Sequence, residues 1–165
     1  MSDLVLTPMG LRAGGRLWPC SIGRGGITSD KREGDGATPA GVHRLTGMLF
    51  RPDRLAARAL PRWARPIGLR DLWCDDPGHP AYNQPARAPL SASHERLRRA
   101  DPLYDLIVLT DWNWPEAIPG KGSAIFVHTW RRPGYPTAGC IALARADLLA
   151  LAPLLAPGSR LIVRG

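Results

Sequence analysis

Glycine and proline are spread so densely through this chain, 18 and 17 of its 165 residues, that a long uninterrupted helix is a poor solution for it. In a helix interior glycine costs about 1 kcal/mol and proline about 3 kcal/mol relative to alanine. Short strands joined by tight turns are the architecture this punctuation allows. The length predicts a single domain over residues 1–165, large enough to bury a core without disulfide or metal staples. A composition of 44% hydrophobic and 22% charged residues argues for a globular chain and against disorder. No apolar run reaches the roughly 18 residues of a membrane helix, so no integral membrane association is expected. Residues 1–15 lack the charged start and apolar stretch of a secretory signal, which leaves a cytoplasmic location open.

The net charge is +8, and every basic residue but Lys31 and Lys121 is an arginine. That field favours anionic partners. The arginines are scattered, however, and no aromatic-interleaved recognition motif accompanies them, so nucleic acid is not the expected partner. Three cysteines, Cys20, Cys74 and Cys140, are too few for a disulfide framework and match no zinc spacing. At least one thiol is therefore free, and no metal site is expected.

Local patterns predict a mainly β chain, a sandwich-like pair of mixed sheets with one or two helices. Asp3 to Thr7 and Arg16 to Ile22 read as strands of a hairpin turning at Arg12-Ala13-Gly14-Gly15. Arg24 to Pro39 reads as a polar loop in which Lys31 to Asp35 is solvated, and Val42 to Phe50 alternates as a strand. Arg51 to Arg65 could hold a short helix with Leu55, Ala59 and Trp63 on one side, broken by Pro61. Trp73 to Pro89 has no period and reads as an ordered loop or lid. Asp105–Trp112 and Ser123–Trp130 are apolar on both faces, as for strands buried between two layers. In the second of these, Ala124, Phe126 and His128 share one side. Leu148, Leu151 and Leu155 recur at helical spacing after Asp147, with Pro153 ending the helix, and Ser159 to Arg164 reads as a last strand.

Chemistry concentrates near the C-terminal third. His128 lies on a strand, and twelve residues further on Cys140 sits inside Pro136-Thr137-Ala138-Gly139-Cys140-Ile141. The intervening Pro133-Gly134 can turn the chain and bring the two side chains together. A free thiol is only about 3% thiolate at pH 7, and a neighbouring imidazole raises that fraction by pairing with it or taking its proton. Peptide N–H groups at Gly139 and Cys140 are candidates for receiving the oxyanion of a tetrahedral intermediate. These are the parts of a cysteine acyl-transfer site. The competing reading is a small core cysteine and a satisfied core histidine.

These residues resemble the YkuD-type (ErfK/YbiS/YcfS/YnhG) L,D-transpeptidases of bacterial cell-wall metabolism, whose signature is a histidine followed by Ser/Thr-His-Gly-Cys and an apolar residue. His128 and Thr137-Ala138-Gly139-Cys140-Ile141 carry most of it. Thr38-Pro39-Ala40-Gly41 looks like that family's Thr-Pro-x-Gly element, and the resemblance runs from about Gly23 to Val163. Two positions depart from the pattern: Ala138 stands where the signature has a second histidine, and Ala142 where an arginine or asparagine is common. The chain is also similar to a shorter branch with Thr-x-Gly-Cys-x-Ala-Leu and a Trp-Cys-Asp-Asp-Pro loop.

The resemblance implies an L,D-transpeptidase-like β-sandwich that acts on peptidoglycan stem peptides through a thioester on Cys140, releasing D-alanine and passing the acyl group to an amine. His128 alone would act as base, its other ring nitrogen held by a backbone carbonyl near Thr129. Trp73, Asp75, Asp76, Tyr82 and Asn83 are the candidate contacts to a stem peptide, against the ordinary role of Asp and Asn beside proline as turn formers. No cofactor is implied, carbapenems are expected to acylate the thiol, and the substrate implies a periplasmic or cell-envelope location. The nearest rival is an L,D-carboxypeptidase or endopeptidase with the same thioester. From another class, the rival is a non-catalytic basic module that binds cell wall or nucleic acid.

Overall fold

The computed structural model describes residues 2–165. Its first strands are β1 (Leu4–Thr7), β2 (Gly10–Ala13), β3 (Arg16–Trp18), β4 (Cys20–Ser21), β5 (Ile27–Thr28), β6 (Thr38–Pro39) and the long β7 (Gly41–Phe50). Then follow β8 (Ala64–Pro66), β9 (Asp71–Cys74), β10 (Gln84–Arg87), β11 (His94–Arg96), β12 (Leu106–Thr110), β13 (Phe126–Thr129) and β14 (Ile141–Leu143). Helix α1 (Arg145–Leu151) and β15 (Arg160–Val163) complete the chain. The fold is mainly β with mixed sheets, as the glycine and proline content predicts. No helix among the described residues is long and apolar enough to cross a membrane.

The main sheet has the order β3-β2-β1-β15-β7-β12-β13-β14-β4, with β8 added to β7. Its two edge strands, β3 and β4, are separated in sequence only by Pro19. The sheet must therefore curl until its edges meet. β12 and β13 lie near its centre and bury both faces. Val108 and Val127 point into a large core with Leu45, Met48, Ile141, Leu148 and Leu151. Ile107 and Phe126 point into a second core with Ile67, Trp73, Leu97, Tyr104 and Cys140. This is the physical origin of their two-sided apolar pattern. A three-stranded sheet, β10-β9-β11, contributes Trp73 to that second core, where its ring meets Phe126 edge-on at 5.0 Å between centroids.

Several local expectations are corrected. The hairpin turns at Gly14-Gly15, whose φ angles of 57° and 73° suit a two-residue turn, so Gly10–Ala13 is a strand of its own and a second hairpin precedes it. Arg51–Arg65 contains one 3₁₀ turn, Ala57–Ala59, and no α-helix. Arg54 is instead spent on Asp105 (2.8 Å) and the Ala100 carbonyl (2.7 Å). The Trp73–Pro89 stretch includes β10 and the end of β9, hidden from periodicity by polar residues and by Pro85 in an edge strand. Lys31 is buried rather than solvated, its ammonium donating to Asp35 and to the Arg32 carbonyl, each at 2.6 Å.

Candidate active site

Cys140 lies at the end of a turn pinned from two directions. Thr137 Oγ1 donates to the Cys140 carbonyl (2.6 Å) and accepts from Gly139 N–H (3.1 Å). From the other side Thr38 Oγ1 donates to the Gly139 carbonyl (2.8 Å) while accepting from Gly23 N–H (3.0 Å). Gly139 has φ +145°, and a Cβ there would stand 2.9 Å from the Ala37 carbonyl oxygen. Only glycine suits both the angle and the close approach. Thus the Thr38-Pro39 element and the nucleophile turn form one hydrogen-bonded unit. Since Gly139 N–H is spent on Thr137, the Cys140 N–H is the one of the two candidate oxyanion donors without a partner among the described residues.

The sulfur is buried. Cys140 Sγ donates to the Ala124 carbonyl (3.1 Å) and accepts from Phe126 N–H (3.4 Å). Burial pushes the thiol up to about 12, with the Glu95 carboxylate adding to the shift and the Phe126 N–H and Lys31 charge opposing it. Strand β13 carries His128 beside β14, in register with Ala142. His128 Nδ1 lies 2.7 Å from the Thr129 carbonyl oxygen. A carbonyl only accepts, so Nδ1 carries the hydrogen and Nε2 keeps its lone pair. Burial holds the imidazole down at about 4, the Thr129 carbonyl opposing the shift. Both shifts act against a preformed thiolate–imidazolium pair of the kind expected from the sequence. In both groups burial disfavours the charged form more than the surroundings favour it.

His128 and Cys140 line one cavity of about 450 Å³, together with Glu95, Arg99, Tyr104 and Arg24. Ala138 also lines it, and its methyl group cannot move a proton. Ala142 is fully buried. Positive charge reaches the cavity from Arg24, Arg99 and Arg131 instead.

None of Trp73, Asp75, Asp76, Tyr82 and Asn83 lines this cavity. Asn83 is buried with φ 54°. Its amide donates to the Trp112 and Asn113 carbonyls (3.0 and 2.7 Å), and its Oδ1 accepts from Trp73 Nε1 (2.9 Å) and Ala124 N–H (3.0 Å). It fixes the residue whose carbonyl receives the Cys140 thiol. Tyr82 donates to Glu33 (2.5 Å) and accepts from Gly122 N–H (2.9 Å), and Asp76 caps the Gly78 N–H (2.9 Å). Asp75 is half-buried, with Oδ1 shielded and unpartnered among the described residues. Thr129 Oγ1 is likewise buried without a partner.

Glu95, Arg99 and Tyr104 escape a reading of the sequence. They reach the cavity from β11 and the segment before β12, and no local motif marks them. Tyr104 donates to Glu95 Oε2 and sets its ring edge-on to His128 at 5.3 Å between centroids. No curated protein and no solved structure matches the chain. Residues 9–163 match the family model of the L,D-transpeptidase catalytic domain, a span that takes in the β2–β3 hairpin as well as the Thr38 element and the Cys140 turn, and the chain belongs to the YkuD family.

Proposed function

We propose that this chain is a cysteine L,D-transpeptidase that acts on peptidoglycan stem peptides through a thioester on Cys140. The observation that carries the reading is that Cys140 and His128 open on the same cavity while His128 commits Nδ1–H to the Thr129 carbonyl. That leaves Nε2 as the one lone pair of the ring available to a thiol proton. The family's work on peptidoglycan supports this substrate class and, with it, a site of action in the cell envelope.

The thiol loses its proton to Nε2 as sulfur attacks the L-centre carbonyl of the donor stem, so charge separates only when a substrate is present to use it. The Cys140 N–H faces the oxygen that becomes negative. Collapse of the tetrahedral intermediate expels D-alanine, whose amine takes the proton back from Nε2. An amine then attacks the thioester and regenerates the thiol. Water in its place gives the carboxypeptidase outcome from the same intermediate.

Incubation with a stem tetrapeptide tests this. D-alanine should be released, and intact-mass spectrometry should find the tripeptide acyl group, or a carbapenem adduct, on Cys140. Release that survives Cys140→Ala would refute the proposal.

A further inference from the structure

The catalytic cavity holds a carboxylate that the mechanism above does not use. Glu95 stands in its wall on β11, with Oε2 fixed by the Tyr104 hydroxyl. Oε1 makes no hydrogen bond to the described residues and is not among the buried unpartnered atoms. No ion pair joins Glu95 to the arginines of the cavity wall: Arg24 and Arg131 make none among the described residues, and the other nearby cations are committed elsewhere. Arg99 spends Nε and Nη2 on Asp101 (2.8 and 2.6 Å), and Lys31 is held by Asp35 and the Arg32 carbonyl. Asp75 and Glu33 add negative charge nearby. Burial above all, and then those two carboxylates, push the Glu95 carboxyl group above its ordinary range, against the Tyr104 hydrogen bond and Arg99. A negative charge in this setting gains most from a ligand that brings a positive one.

We propose that Glu95 is the ammonium-recognising residue of the Cys140 cavity, so that the site selects substrates bearing a primary amine. A carboxylate fixed through one oxygen offers the other to an N–H donor. Glu95 and Cys140 line the same cavity, so an ammonium held by Glu95 shares that space with the reacting sulfur. Where the amine is the acceptor, this rests on the thioester reading. The acceptor arrives as R–NH3+ and one proton passes to Glu95. The free amine forms the C–N bond as the C–S bond breaks, the second proton moves through His128 Nε2 to sulfur, and Glu95 returns its proton to solvent.

The first test needs no acyl chemistry. Cys140 is modified with a methanethiosulfonate carrying an ethylammonium group and with the neutral methyl reagent, each forming a disulfide and releasing sulfinate. The ratio of the two rates cancels the reactivity of the thiol. In Glu95→Gln, which keeps an acceptor for Tyr104, the ratio should fall on the order of tenfold, as for loss of one charged hydrogen-bond partner. An unchanged ratio overturns the assignment. If Glu95→Gln does not fold, the wild-type protein decides. Methylammonium should protect Cys140 from the neutral reagent at concentrations where tetramethylammonium, which has no N–H, does not, and equal protection or none overturns the proposal.

The second test locates the amine. With a preformed thioester, Glu95→Gln should weaken transfer to glycinamide while leaving transfer to the largely neutral hydroxylamine intact. A loss seen instead in thioester formation, and removed by N-acetylating the donor's free amine, places the ammonium on the donor. Equal losses with charged and neutral partners overturn the proposal. Failure of the wild type to form any thioester counts against the enzymatic reading and leaves the methanethiosulfonate result standing.

Discussion

The resting protonation of Cys140 makes a prediction that separates this site from a preformed thiolate–imidazolium pair. With the thiol at about 12, the thiolate fraction at pH 7 is about one part in 10⁵, against about 3% for an ordinary free cysteine. Alkylation by iodoacetamide should therefore be roughly a thousandfold slower than that of an exposed cysteine at pH 7. Its logarithm should climb with unit slope from pH 6 to 9. A preformed pair would instead give a rate nearly flat over this range, with an inflection at the low pKa of the pair. Peptide mapping by mass spectrometry resolves Cys140 from Cys74, which is buried, and from Cys20, whose thiol burial pushes up to about 11. His128→Asn should leave the slope in place while abolishing D-alanine release, since the imidazole acts only once a carbonyl is bound. A plateau between pH 5 and 8 in the wild-type protein would refute the argument from burial.

The buried imidazole ties stability to acid. His128 titrates near 4 in the fold and near 6.5 when unfolded, so its contribution is complete above pH 6.5 and is lost as pH falls toward 4, a change of ~3 kcal/mol. Urea titrations across that window should show a flatter profile for His128→Asn. Asn83→Ala strands two carbonyls and two N–H groups that the side chain now pairs, and denaturation should register a loss of at least ~3 kcal/mol. Gly139→Ala forces a Cβ to 2.9 Å from the Ala37 oxygen at φ +145° and should cost more than ~2 kcal/mol along with D-alanine release. Gly134→Ala, also at positive φ but with open space around it, should cost about 1 kcal/mol and preserve activity.

Legibility in the sequence followed the range over which each residue's reason for being there acts. β12 and β13 stand out because each buries two faces, and α1 because Leu148 and Leu151 recur at helical spacing into one core. The helix expected over Arg51–Arg65 fails because a local pattern cannot foresee that Arg54 is drawn to Asp105, 51 positions away. β9 and β10 are hidden for a related reason: a small sheet packed on one side needs little alternation, and Trp73 is placed by its contact with Phe126. Among the candidate site residues, Cys140 and His128 announce themselves through a Gly-Cys turn and a buried strand. The WCDDP-to-Asn83 stretch is visible as a motif, but its place as a brace behind Ala124 depends on partners that only the fold supplies. Glu95 and Tyr104 converge on the cavity from separate segments, so neither carries a local mark.

The Thr38–Gly139 hydrogen bond joins positions 101 residues apart, and its consequence is temporal. Long-range closures form late, after the loop entropy they require has been offset by other contacts. The loop bearing the nucleophile therefore reaches its working shape only when distant parts of the polypeptide have docked. Until then a nascent or partly unfolded chain carries a sulfur with neither its fixed carbonyl acceptor nor its poised peptide donor, and reactivity toward acyl donors should emerge in the same kinetic phase as the completed tertiary structure.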